Sequence, residues 1–156
     1  MDFDRTWKSI AAGLCGSAAH TLLMALKSWA RILPSFRPYD DLQALLTTVI
    51  GDSVDPVIPW ALSYFNGSVV LGFLFGRIYQ IMPGRTGVMK GLFFGFAVWL
   101  AMGLIFFPAT GKGLFASQTG LGIAPTFFTL VMVLTYSVTL GVAYSVFTSK
   151  TRGHSP

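Results

Sequence analysis

The stretch Val88-Met-Lys-Gly-Leu-Phe-Phe-Gly-Phe-Ala-Val-Trp-Leu-Ala-Met-Gly-Leu-Ile-Phe-Phe107 decides the fold. It holds one charge, Lys90, close to its start. Crossing the roughly 30 Å hydrocarbon core of a bilayer takes about 20 residues of α-helix. Three more stretches meet that length: 9–33, uncharged through Leu26; 57–82; and 126–149, which has no charge. Strand-like alternation is absent, which argues against a barrel. Lipid offers the backbone no water to bond with, so helices remain. The sequence predicts an all-α, four-helix transmembrane bundle in a single integral membrane domain, residues 1–156.

Composition agrees. Of 156 residues, 53% are hydrophobic and 11% charged, against about 25% charged in a soluble domain. So few charges could not cover a soluble protein of this size. An ordinary soluble globule, a disordered chain and a nucleic-acid-binding domain are excluded. The net charge of +5 comes from 11 Lys+Arg against six Asp and no Glu, and it reports loop charges that set orientation. One side collects Arg5, Lys8, Arg77, Arg85, Lys90, Lys150 and Arg152; the other has Lys27, Arg31, Arg37 and Lys112. The richer side is expected in the cytoplasm, with both termini. A cleaved signal peptide ending near Ser17-Ala18-Ala19 is opposed by Asp2 and Asp4, and by an apolar run that continues past that point.

Local chemistry marks the ends. Asp55-Pro56 reads as a cap followed by proline at the first helical position. Pro125 does the same for the fourth span. Thr86 is expected to cap the third span and Pro108 to close it. Gly84-Arg85-Thr86-Gly87 is a tight turn. In the long first connection, apolar residues at 42, 45, 46, 49 and 50 lie on one helical face. They predict a short amphipathic helix at about 41–50, capped by Asp40 and lying on the membrane surface. The connection 109–124, rich in glycine and threonine, is expected to be irregular, and Gly153 to Pro156 to be a frayed polar tail.

The chain also resembles itself. A shift of 69 residues places Gly51 on Gly120, Pro56 on Pro125, Ser68 on Ser137 and Gly72 on Gly141. A shift of 78 places Gly13-Leu14 on Gly91-Leu92 and Ala19 on Ala97. Each half then forms a hairpin, and the two hairpins run parallel as tandem repeats. Gly87, Gly91 and Gly95 recur every four residues, and Gly72/Gly76 form a shorter stripe. Small residues at this spacing let helices approach closely. Two uses are open: packing within the bundle, or docking of the third span on another polypeptide.

Chemistry-bearing residues are few. His20 is the ionisable residue near mid-membrane, and such residues are functional candidates. An imidazole can ligate a metal or a chlorin magnesium, and Gly16 would leave room for a flat ring. Bis-histidine haem needs a second intramembrane histidine, and His154 lies in the tail. The plainer expectation is a hydrogen bond from His20 to a facing helix. Asn66 is expected either to bond across helices or to line a substrate path. Lys27 and Arg31 are expected to snorkel to the headgroups, as are Arg77 and Lys90 on the opposite side. The spans hold no carboxylate, which weakens a proton- or sodium-coupled carrier. Cys15 reads as an inert, small apolar residue. No catalytic or phosphate-binding motif appears, so neither an enzyme nor a cofactor or metal is expected.

The glycine-rich starts Ala12-Gly13-Leu14 and Lys90-Gly91-Leu92-Phe93-Phe94-Gly95, with the turn Gly84-Arg85, resemble small bacterial inner-membrane proteins grouped only as domains of unknown function. The resemblance implies a multi-pass protein of a bacterial inner membrane and carries no activity or site residues. Two functions are expected from these residues. One is an accessory or assembly subunit of a membrane complex, docking through the third span. The other is a small oligomeric transporter or pore lined by His20 and Asn66. The expected partners are the bilayer, other membrane polypeptides or further copies of the chain, and no nucleic acid.

Overall fold

The structure is a computed structural model, and it describes residues 3–152. The predicted tail Gly153–Pro156, with His154, lies outside the described residues. Five helices follow in order: α1 (Phe3–Trp29), α2 (Pro38–Ile50), α3 (Val57–Ile78), α4 (Gly87–Ala109) and α5 (Ala124–Arg152). All except α2 are long and apolar enough to cross a membrane. No strand occurs among the described residues. The chain is therefore a multi-pass, all-helical bundle. Its two ends are here called the terminal side and the α2 side.

Several helix ends follow the sequence chemistry. The Val57 N–H donates to Asp55 Oδ1 at 2.8 Å, and the Met89 N–H donates to Thr86 Oγ1 at 3.2 Å. Other ends differ. α1 stops at Trp29, short of the expected Leu33. Arg31, at φ 51°, takes the left-handed position that closes a helix. The Ile32 N–H bonds Lys27 O at 3.0 Å and the Arg31 N–H bonds Ser28 O at 3.2 Å, the paired bonds of a Schellman end. α2 starts at Pro38, with Arg37 before it and no side-chain cap. Asp40 is thus not its cap. It sits in the first turn, where a carboxylate favours the positive end of the helix. α3 ends at Ile78 rather than Met82, ahead of the turn that leads to Pro83.

Two of the spanning helices are interrupted. α3 carries a π-helical segment at Asn66–Leu71 and α4 one at Met102–Phe106. Pro108 does not close α4 but lies in its last turn. It has no N–H for the carbonyl four residues earlier, and the widened segment directly precedes that turn. The α3 segment contains no proline. Its Gly67 carbonyl accepts the Tyr136 hydroxyl, and the Ser68 hydroxyl turns back to Tyr64 O.

The helices pack in the order α3, α1, α5, α4. The two hairpins use equivalent contacts. A Cβ on Gly13 would stand 2.5 Å from Ser68 O, and one on Gly91 would strike Ser137 O, the matching atom under the two shifts. A Cβ on Gly72 would meet Ser9 O at 2.8 Å and Gly13 Cα at 3.3 Å. One on Gly141 would meet Gly87 O, and Gly91 Cα at 3.2 Å. The residues that the two shifts pair thus occupy matching places in the two helix crossings. The stripe Gly87, Gly91, Gly95 lies against α5, and Gly72/Gly76 lie against α1. The α4 stripe is therefore covered by its own chain, and it is not a free face for another polypeptide.

On the terminal side, Ala12, Phe75, Phe94, Tyr136, Leu140 and Tyr144 form the core. Polar groups of all four spans tie this end. Arg5 Nε donates to Tyr144 Oη at 3.1 Å and its guanidinium donates to Gly76 O at 3.3 Å. The Lys90 ammonium donates to Tyr79 O and lies 4.3 Å from the Tyr79 ring centroid. Lys90 is thus held by protein, not extended to headgroups. Arg77 is exposed, with its guanidinium 4.9 Å from the Phe73 ring.

On the α2 side, a second cluster joins Phe36, Phe107 and Ala116. Lys27 is buried there, against expectation. Its ammonium donates to Phe36 O at 2.6 Å, between the Phe36 and Phe128 rings at 5.8 and 5.5 Å. A carbonyl and two π faces replace the water it gives up. Arg31 remains exposed. The connection 109–124 is irregular as expected, apart from a 3-10 turn at Leu114–Ala116. Phe115 there packs on Trp99 at 4.9 Å and fills the space beside Gly103.

Candidate functional site: an intramembrane cavity between α3 and α4

α1 and α5 stay in contact along their length. Arg5 meets Tyr144 near one end, the Tyr136 ring sits against Gly16 in the middle, and Lys27 meets Phe128 near the other. α3 and α4 behave differently. They meet on the terminal side, through Phe75 and Phe94 at 5.1 Å and through Lys90 and Tyr79. Towards the α2 side they separate around a cavity of about 670 Å³. This lies within the 300–1,000 Å³ typical of ligand sites.

All four spans and α2 line the cavity. Ser17, His20 and Met24 come from α1, Asn66, Gly67 and Leu71 from α3, Ala101, Met102, Ile105 and Phe106 from α4, and Met132, Val133 and Tyr136 from α5. Both π-helical segments border it. Such segments are frequent at functional sites because they widen a helix and re-aim its side chains. The floor is the aromatic core beneath Leu71 and Tyr136. The open side lies between α3 and α4, where Leu62 and Ile105 are exposed.

α2 is the roof. Its Pro38, Tyr39 and Leu42 face the cavity. Tyr39 stacks on Trp60 at 5.3 Å, Trp60 stacks on Tyr64 at 5.7 Å, and Tyr64 Oη lies 2.9 Å from Thr21 Oγ1. Burial pushes the Tyr39 phenol above its ordinary value. The far side of the roof is tied by an ion pair, Lys112 Nζ to Asp41 Oδ1 at 3.0 Å. The amphipathic helix read from the sequence is thus seated on the bundle.

The two polar residues singled out in the sequence, His20 and Asn66, both line this cavity. His20 stands nine residues from the end of α1 and Asn66 nine residues from the start of α3. Both therefore stand about 13 Å along their helices from the α2-side ends of α1 and α3. Neither makes the cross-helix hydrogen bond expected of it among the described residues. His20 instead meets the Tyr39 ring edge at 6.5 Å. Asn66 is exposed towards the cavity. The flat-ring site beside Gly16 is filled: a Cβ there would meet the Tyr136 ring at 2.8 Å. No cluster of three or more metal-ligating side chains occurs among the described residues. Gly87, Gly91, Gly95, Gly72 and Gly76 take no part in the cavity.

Tyr136, Tyr39 and Ala101 also line the cavity and were not among the expected site residues. The clue to Tyr39 was its place just ahead of the amphipathic pattern. Tyr136 and Ala101 had none.

Fold and cavity together define a multi-pass membrane protein with an internal, mostly apolar site. The profile of the family of unknown function DUF6789 matches residues 3–155, and the chain belongs to that family. No curated protein and no solved structure matches it significantly.

Proposed function

We propose that the chain is a non-catalytic integral membrane protein that binds a lipid-soluble molecule in the α3–α4 cavity, as a small carrier would. The carrying observation is the cavity itself, roofed by α2, floored by aromatic side chains and open between two spans. Its lining offers hydrogen-bonding groups but no Asp, Glu, Lys or Arg among the described residues, which suits binding rather than acid–base chemistry. The aromatic floor does not match a water-filled pore through one chain. The glycine stripe of α4, the docking surface of the accessory-subunit reading, is covered by α5. We further propose a bacterial inner-membrane location with both termini cytoplasmic, supported by the lysine and arginine asymmetry, and surroundings of lipid without nucleic acid.

The test is native mass spectrometry of protein extracted in mild detergent. Wild type should retain a small molecule, and Ala101→Trp, which fills the cavity, should lose it. Equal retention by both proteins, or none by wild type, would overturn the proposal.

A further inference from the structure

This inference rests on the cavity being a binding site. We infer that its occupant is a neutral lipid whose carbonyl or hydroxyl group is held at mid-membrane depth by His20 and Asn66. Three observations carry it. First, no charged side chain lines the cavity among the described residues, so a charged headgroup would lose its water and find no counter-charge. Second, His20 and Asn66 line the cavity without hydrogen-bond partners among the described residues. The nearby Tyr136 hydroxyl is already engaged, donating to Gly67 O. An unpaired amide or imidazole in an apolar site favours a ligand that completes it. Third, the pair stands about 13 Å along spanning helices from their α2-side ends, near the middle of a hydrocarbon core of about 30 Å and deeper than a phospholipid headgroup sits. A phospholipid would place only its tails there and leave both residues unpaired. A neutral lipid dissolved in the hydrocarbon core can put its one polar group at that depth, entering through the open side.

The test uses the full chain in detergent, with three probes sharing a 14-carbon tail: tetradecanol, 2-tetradecanone and tetradecyl phosphate. Binding is read by native mass spectrometry and by the shift in unfolding temperature. The alcohol or the ketone, whichever is held better, should bind wild type at least tenfold more tightly than the phosphate, and the two neutral arms separate hydroxyl from carbonyl recognition. Asn66→Leu and His20→Phe should each weaken that binding about tenfold. Should His20→Phe not fold, Asn66→Leu decides. Equal binding of the phosphate, or no response to either substitution while Ala101→Trp still abolishes binding, overturns the neutral-lipid inference and leaves the cavity site standing. Probe binding unaffected by Ala101→Trp overturns the cavity reading with it.

Discussion

The two hairpins share one crossing and differ in what lies beyond it. In the first, α1 meets α3 through Gly13 and Gly72; in the second, α4 meets α5 through Gly91 and Gly141. The seams between hairpins are not alike. A twofold relation would pair the α1–α5 seam with an α4–α3 seam. The first is closed, because Gly16 lets the Tyr136 ring and backbone come against α1. The residue matching Gly16 under the shift of 78 is Phe94, which stands edge-on against Phe75. A large ring in place of no side chain holds α3 and α4 apart, and the cavity opens above it. The polar pair is equally one-sided: His20 matches Val98, and Asn66 matches Thr135, whose hydroxyl is satisfied by Val131 O at 2.8 Å. Repetition thus accounts for the packing, and departures from it account for the site.

The strongest way to break this comparison is at the shared crossing. Gly13→Leu and Gly91→Leu should each cost at least about 3 kcal/mol, because the opposing atoms are backbone and cannot move aside. Both variants should fail to elute as single species in size-exclusion chromatography. Survival of one alone would show that the crossings are not equivalent. Phe75→Ala removes the ring that meets Phe94 and should cost about 3–4 kcal/mol, read from the midpoint of unfolding in denaturing detergent. Gly16→Phe, which copies residue 94 into the closed seam against the Tyr136 ring and backbone, should cost about 3 kcal/mol and displace Tyr136. Removing the roof tie with Lys112→Met should cost no more than about 1 kcal/mol, since the pair is partly exposed. It should nonetheless speed exchange of a bound probe.

The smallest effect concerns pH. The Tyr39 phenol has its pKa raised on folding, so its contribution to stability is present below the unfolded value of about 10. That contribution is lost as pH rises through the folded value. Above about pH 10, wild type should lose thermal stability faster than Tyr39→Phe. Parallel loss would remove Tyr39 from the roof.

Much of this architecture was legible in the sequence, because lipid narrows the choices. Four apolar runs of bilayer length must be helices, and Thr86 and Asp55 cap where their side chains allow. His20 and Asn66 stood out because polar groups are scarce in these spans. What the sequence hid was adjacency. The period of Gly87, Gly91 and Gly95 defines a helix face but not the helix that covers it, so docking and internal packing looked alike. Lys27 read as a snorkelling residue because nothing local shows the chain folding Phe36 and Phe128 around it. The interruption at Asn66–Leu71 has no proline to mark it. The role of Gly16 depends on Tyr136, 120 residues away. Asp40 looked like a cap until Pro38 took the first helical position.

The most direct test compares the two seams in lipid. Spin labels at Ser63 and Ala101 span the α3–α4 seam, and labels at the matching positions Met132 and Leu23 span the α5–α1 seam, each pair in a Cys15→Ser background. Electron paramagnetic resonance should report a longer distance for 63–101 than for 132–23. A further lengthening or narrowing of 63–101 alone when a neutral lipid is added would tie the open seam to binding. Equal distances across the two seams, unchanged by lipid, would contradict the account.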